Sequence, residues 1–137
     1  MKRNLIGTLS LVVMSVVLSG MANAQTFAKA DVPFAFKVGS AQLPAGTCEI
    51  RTVNDATVVI RSLEGGASAL SMTRQEYSNG PAGAKLVFHR LGDHYFLTEI
   101  WKDGSGMVVP RSDEEKELEK ELASKSNVVE QIKIALY

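Results

Sequence analysis

Two histidines, His89 and His94, stand five residues apart, with Asp93 between them and Glu99 downstream. Two imidazoles and a carboxylate make a metal-ligand set, provided that all three converge on one face. The surrounding pattern argues against convergence. Gly92-Asp93 reads as the two-residue turn of a β-hairpin, with glycine at the first central position as a type II′ turn requires. That register sets Leu91 opposite His94, Arg90 opposite Tyr95, His89 opposite Phe96 and Phe88 opposite Leu97. His89 then shares a face with Val87 and Phe96, while His94 sits at the turn. No metal site is expected.

The other chemistry-bearing residues are weighed in the same way. Cys48 is the chain's one cysteine, so no intramolecular disulfide can form. It alternates with Ile50, while Glu49 and Arg51 take the opposite face, which predicts a buried, inert thiol behaving as a small hydrophobe. Ser62, Ser68 and Ser71 have no G-x-S-x-G setting for a nucleophile. The glycines at 65, 66, 80, 83, 104 and 106 do not form a phosphate loop, because none joins a strand to a helix with a Lys-Ser/Thr ending. The acidic run over residues 113–121 is interleaved with Lys116 and Lys120, as a solvated helix face would be. Trp101, Tyr77 and Tyr95 are placed as strand aromatics, which serve a core more often than a ligand mouth. Catalytic, cofactor-binding and metal-binding residues are therefore all expected to be absent, and the chain is read as a non-enzyme.

The elements that would position these residues are mostly strands. Residues 31–38 alternate, with Val32, Phe34, Phe36 and Val38 on one face, and Pro33 marks a strand start or an edge. Residues 25–30 read as a loose polar lead. Further strands are expected over residues 47–53, 57–63, 67–73, 85–91 and 94–101, with residues 74–77 extending the third of these. Residues 79–83 form a turn-rich loop, and Met107 to Val109 a short edge strand. Turn signals recur about every ten residues, the spacing of an all-β sandwich or barrel. Val58-Val59-Ile60 and Leu86-Val87-Phe88 are apolar on both faces, which points to curled or two-layer packing.

One helix interrupts the strands. Ser112 and Glu115 form a capping box, and Asp113, Glu114 and Glu115 complement the positive end of the helix dipole. The helix is expected over residues 113–124, with only Leu118, Leu122 and Ala123 to bury and a largely solvated surface. Ser126-Asn127 ends it, and a final strand follows over residues 128–136 with Ile132, Ile134 and Leu136 inward.

The N-terminus carries the marks of a secretory signal. Lys2 and Arg3 precede an uncharged apolar run over residues 5–20, and Ala22-Asn23-Ala24 fits the cleavage rule. Cleavage after Ala24 would make residues 1–24 a signal peptide and residues 25–137 a single domain, secreted or periplasmic. The apolar run falls short of the ~20 residues that span a bilayer, so the chain after cleavage is not expected to span a membrane. Thirteen basic against fifteen acidic residues would then leave a formal net charge of −2. That balance excludes the basic face of a general nucleic-acid binder.

Three stretches together carry a resemblance. They are Val32-Pro-Phe-Ala-Phe-Lys-Val-Gly39 running into Leu43-Pro-Ala-Gly46, then Lys85-Leu-Val-Phe-His-Arg-Leu-Gly-Asp-His-Tyr-Phe-Leu97, then Val109-Pro-Arg-Ser-Asp-Glu-Glu-Lys-Glu-Leu118. In order and wording the chain resembles small secreted acidobacterial-type proteins of unknown function. The resemblance implies a secreted all-β domain and brings no site residues with it. The expected fold is a mainly antiparallel β-sandwich or small closed barrel of seven or eight strands, with one helix before the last strand. The expected function is non-catalytic binding, or packing in the cell envelope with a protein partner. The alternative is a small barrel carrying an apolar ligand. No cofactor and no nucleic acid are expected.

Overall fold

The structure, a computed structural model, describes residues 26–78, 83–125 and 129–137. The expected signal segment and its cleavage site, most of the 79–83 loop, Ser126-Asn127 and Val128 lie outside the described residues. In chain order the elements are β1 (Thr26–Val32), β2 (Phe36–Val38), β3 (Ala41–Leu43), β4 (Gly46–Asn54), β5 (Thr57–Ser62) and β6 (Ser68–Met72), then β7 (Arg74–Tyr77), β8 (Lys85–Leu91), β9 (His94–Lys102), β10 (Ser105–Val108), α1 (Asp113–Ser124) and β11 (Glu130–Ala135). The first sheet runs β1-β4-β5-β6 and the second β11-β8-β9-β10-β7, with the β2–β3 hairpin attached to β9. The fold is all-β, mainly antiparallel, and curled into a half-barrel with the helix before the last strand.

Among the described residues eleven short strands stand where about seven or eight were expected. Bends account for the excess. Residues 31–38 are not one strand, because the segment Pro33 to Ala35 turns the chain out of the first sheet and into the second. Pro33 cannot donate to a ladder, and this is where the ladder ends. Residues 25–30 are not a loose lead either: from Thr26 onward they belong to β1, which pairs with β4 from Thr26↔Arg51 to Val32↔Gly46. Ala28 and Ala30 point into the core there, with too little side chain to announce it in the sequence. Residues 74–77 do not extend β6 within its sheet; at Thr73 the chain crosses to the second sheet and pairs with β10. That makes β10 an interior strand rather than the expected edge, flanked by β9 and β7.

The opening hairpin has the register expected, from Leu91↔His94 through Phe88↔Leu97. Gly92 has φ +63°, the left-handed value that its turn position requires. Beyond Phe88 the register shifts at a bulge, so Val87 pairs with Glu99 and Thr98 is the extra residue. The Thr98 hydroxyl donates to the Val87 carbonyl at 3.0 Å, and the Val109 N–H donates to the Thr98 carbonyl at 2.8 Å.

Between the sheets, Val32, Phe36, Leu43, Ile50, Val58, Ile60, Leu86, Phe88, Leu97 and Ile100 form one apolar cluster. Each large side chain buried this completely is worth roughly 1.5–3 kcal/mol. Phe88 centres it, with Phe34 and Phe36 edge-on at 5.1 Å. Phe34 also stacks on Tyr95 at 3.9 Å. The two sheets join through the C-terminus: Lys29 and Tyr137 exchange backbone hydrogen bonds of 2.9 and 3.0 Å. The Tyr137 hydroxyl adds one to Asp31 at 2.8 Å. Among the described residues no helix is long and apolar enough to cross a membrane.

Candidate functional site

Strand β6 ends its sheet, and its hydrogen-bonding direction can be worked out. The Ser62 N–H donates to the Ala67 carbonyl, and the Thr73 N–H to the Ala56 carbonyl. Both obey the β5–β6 register, so the odd-numbered residues aim their backbone groups at β5. Ser68, Leu70 and Met72 therefore aim theirs the other way. Further along the same side of the chain, β7 pairs with β10, from Val108↔Arg74 to Ser105↔Tyr77. Past Val108 the chain leaves the sheet through Pro110, and among the described residues no strand pairs with β6 on that side.

A groove of about 470 Å³ lies there, lined by Val38 to Ala41, Leu70 to Met72 and Pro110 to Asp113. The strand beside it, Ser-Ala-Leu-Ser-Met, holds no charge and no proline. Leu70 is 67% exposed and Met72 69%. An uncharged, unguarded edge of this kind is a template for another strand. Edge β7 differs, because it carries Arg74 and Glu76, paired to each other at 2.9 Å.

The second feature lies on the other sheet. Alternation along β8 sends Val87, His89 and Leu91 to the outer face, where helix α1 packs. Glu115, in the helix's first turn, is only 3% exposed and meets His89 there. Its Oε1 stands 3.9 Å from His89 Nδ1, an ion-pair distance beyond hydrogen-bond reach. Both atoms are buried and neither has a hydrogen-bond partner among the described residues. Burial pushes the Glu115 carboxyl above its ordinary range; Arg111 opposes this and Glu119 adds to it. Ser112 caps the helix as expected, accepting from the Glu115 N–H at 3.2 Å. The return half of the capping box is not made, since the Glu115 side chain turns inward instead. The remaining acidic side chains behave as a solvated face: Glu114 pairs with Lys37, Glu119 with Arg111 and Glu121 with Lys125.

The residues singled out in the sequence fall in separate places. His89 is half-buried under the helix, while His94 is exposed at the turn, its ring 6.5 Å from that of Phe96. Asp93 is exposed beside it, and Glu99 accepts from Trp101 Nε1 at 2.7 Å. The Trp101 ring lies flat on Gly106, where an added Cβ would stand 2.7 Å from it. Tyr77 is exposed and Tyr95 is stacked in the core end of the barrel, so the three rings share no mouth. The Ser62 hydroxyl is buried and accepts from the Gly65 N–H at 3.2 Å. Cys48 is buried beside Ile50, and loss of solvent pushes its thiol up to about 11. It should therefore react with thiol reagents only after unfolding, a rate that labelling in the presence and absence of denaturant measures directly.

Sequence reasoning missed both features. Glu115 shares a helical stripe with Leu118 and Leu122, at i, i+3 and i+7, and that spacing was a usable signal of its burial. The β6 edge had a signal too, in a strand whose outer residues are Leu70 and Met72 with no charge between them. No protein-family model, curated protein or solved structure matches the chain.

Proposed function

We propose that this chain is a secreted or periplasmic binding module without catalytic activity, and that it acts by pairing an extended segment of a partner protein with the free side of β6. The observation that carries the reading is the free side of β6, where Leu70 and Met72 line an open groove in line with β10. Strand addition draws affinity from main-chain hydrogen bonds and specificity from alternate side chains. The partner segment would carry apolar residues at alternate positions, to lie beside Leu70 and Met72. The alternative, an apolar ligand carried inside the barrel, has less support, because the space between the sheets is filled by Phe36, Phe88, Ile50, Ile60 and Ile100. For export, the support is the positive start, apolar run and Ala-Asn-Ala ending of residues 1–24.

The test uses a library of extended heptapeptides with alternating apolar residues. Binding should perturb the amide resonances of Ser68, Leu70 and Met72 ahead of all others. Leu70→Pro removes one edge-facing N–H and leaves the β5 ladder intact, so it should fold and lose binding. Leu70→Lys, a gatekeeper at the same position, covers the case in which the proline variant does not fold. Peptide shifts centred away from β6 would overturn the reading. So would self-association in sedimentation that either variant abolishes, which would assign the edge to a second copy. N-terminal sequencing of exported protein should begin at Gln25; a start at Met1 would refute the signal.

A further inference from the structure

We propose that His89 and Glu115 form a proton-linked latch that holds helix α1 against the second sheet, and so fixes the shape of the groove beside β6. The inference does not depend on what that groove binds. It starts from two polar atoms facing each other across a helix–sheet seam, 3.9 Å apart, both buried and both without a hydrogen bond among the described residues. Such atoms are costly unless their charges compensate. With one proton between them the pair compensates in either arrangement, imidazolium beside carboxylate or imidazole beside carboxylic acid. Removing that proton leaves a buried carboxylate next to a neutral ring.

Among the described residues no other ion pair reaches Glu115 or His89. From the segment before the helix comes Arg111, whose guanidinium is held by Glu119. From β2 comes Lys37, held by both oxygens of Glu114 at 2.6 Å. Glu119 itself repels the Glu115 carboxylate. The apolar contribution of the helix is thin, since Leu118 and Leu122 are only half-buried, so the state of one carboxyl weighs heavily in whether α1 stays docked.

The sign of the pH dependence follows from linkage. Docking raises the affinity of Glu115 for its proton, so the docked state binds more protons than the released one. Docking is therefore tightest in acid, weakens as pH rises above the ordinary 4.5 of the free side chain, and stops changing above the raised value. The first turn of α1 and the Pro110–Arg111 lead line the groove beside Leu70 and Met72, so release of the helix opens that groove.

The test is amide hydrogen exchange of residues 113–124, expressed as protection relative to intrinsic rates, between about pH 5 and about pH 9. Protection should fall roughly tenfold for each unit by which docking raises the Glu115 pKa. Glu115→Gln keeps the shape and removes the titration, so its helix protection should be flat across the same range. The same slope in wild type and variant would overturn the latch. Should the variant not fold, 13C titration of the wild-type Glu115 carboxyl still decides. A midpoint well above 4.5, tracking the loss of helix protection, supports it; a midpoint at 4.5 refutes it.

Discussion

Both sheets place apolar side chains on the face turned away from the core, and the two meet opposite fates. On the second sheet Val87, Leu91 and Phe96 lie outside the inter-sheet cluster and are still buried to 1% exposure. On the first, Leu70 and Met72 are each more than half exposed. The sequence pattern is the same in both places: Leu86-Val87-Phe88 and Val58-Val59-Ile60 are each apolar in three successive positions. Yet Val87 is buried and Val59 only half-buried. The difference comes from elements far away in the chain. Helix α1 packs on β8, and the fixed Trp101 ring borders the shallow groove over Val87. Nothing among the described residues does the same for β6. A run apolar on both faces thus announces a second layer without saying whether this chain supplies it.

The comparison breaks completely if the joint between the sheets is removed. Strand β11 pairs with β8 over six positions, and Tyr137 ties the second sheet to β1. Deleting residues 129–137 strips both, removes Ile132, Ile134 and Leu136 from the core they pack against, and exposes the edge of β8. The expected outcome is a chain with no cooperative melt by circular dichroism. A cooperative melt would mean that the half-barrel closes without β11.

Next in size comes the shared core. Phe88 is fully buried between Phe34 and Phe36 and belongs to neither outer face. Phe88→Ala should destabilise by roughly 3–5 kcal/mol in urea melts. Glu117→Ala, on the exposed side of the helix, should stay within about 0.5 kcal/mol. Equal midpoints for the two would show that the ring cluster is not the centre of the fold.

How much of this could be read from residues alone varies with the kind of signal. The hairpin register was legible to the residue, because Gly92-Asp93 fixes the turn and the turn fixes every pair up to Phe88↔Leu97. The bulge at Thr98 was not, since an extra polar residue in a strand leaves no periodic mark. Ser112 and residues 113–124 gave the helix correctly, because capping is local chemistry. Cys48 was placed by simple alternation. Strand neighbours were less legible: the segment at Met107 to Val109 says that it is a strand and not that β7 will lie beside it. Glu115 was misread because charge outweighed spacing; its stripe with Leu118 and Leu122 placed it inward, and its type argued outward.

A matched pair sharpens the contrast between the covered and the bare face. Val87→Ala and Val59→Ala remove the same atoms from outer faces of central strands. The first should cost about 2 kcal/mol, from roughly 0.8 kcal/mol per buried methylene plus some cavity. The second should cost less than about 1 kcal/mol, because Val59 keeps part of its surface in water. Chevron or equilibrium urea data on both variants would measure the gap, and equal costs would erase the distinction between the two faces.

The smallest effect on stability belongs to the side chain with the most to say about function. Leu70 is two-thirds exposed, its neighbour across β5 is Val59, and its inward companion Ala69 carries the packing. Leu70→Lys therefore removes little buried area, and its stem can still lie along Val59 while the ammonium stays in water. Stability should change by no more than about 0.5 kcal/mol. A strand edge guarded by lysine no longer accepts a partner strand, so the same substitution should abolish peptide binding at β6. The two readouts separate a surface kept for a partner from a surface kept for folding. A loss of 2 kcal/mol or more at Leu70 would mean that this face is part of the packed fold after all.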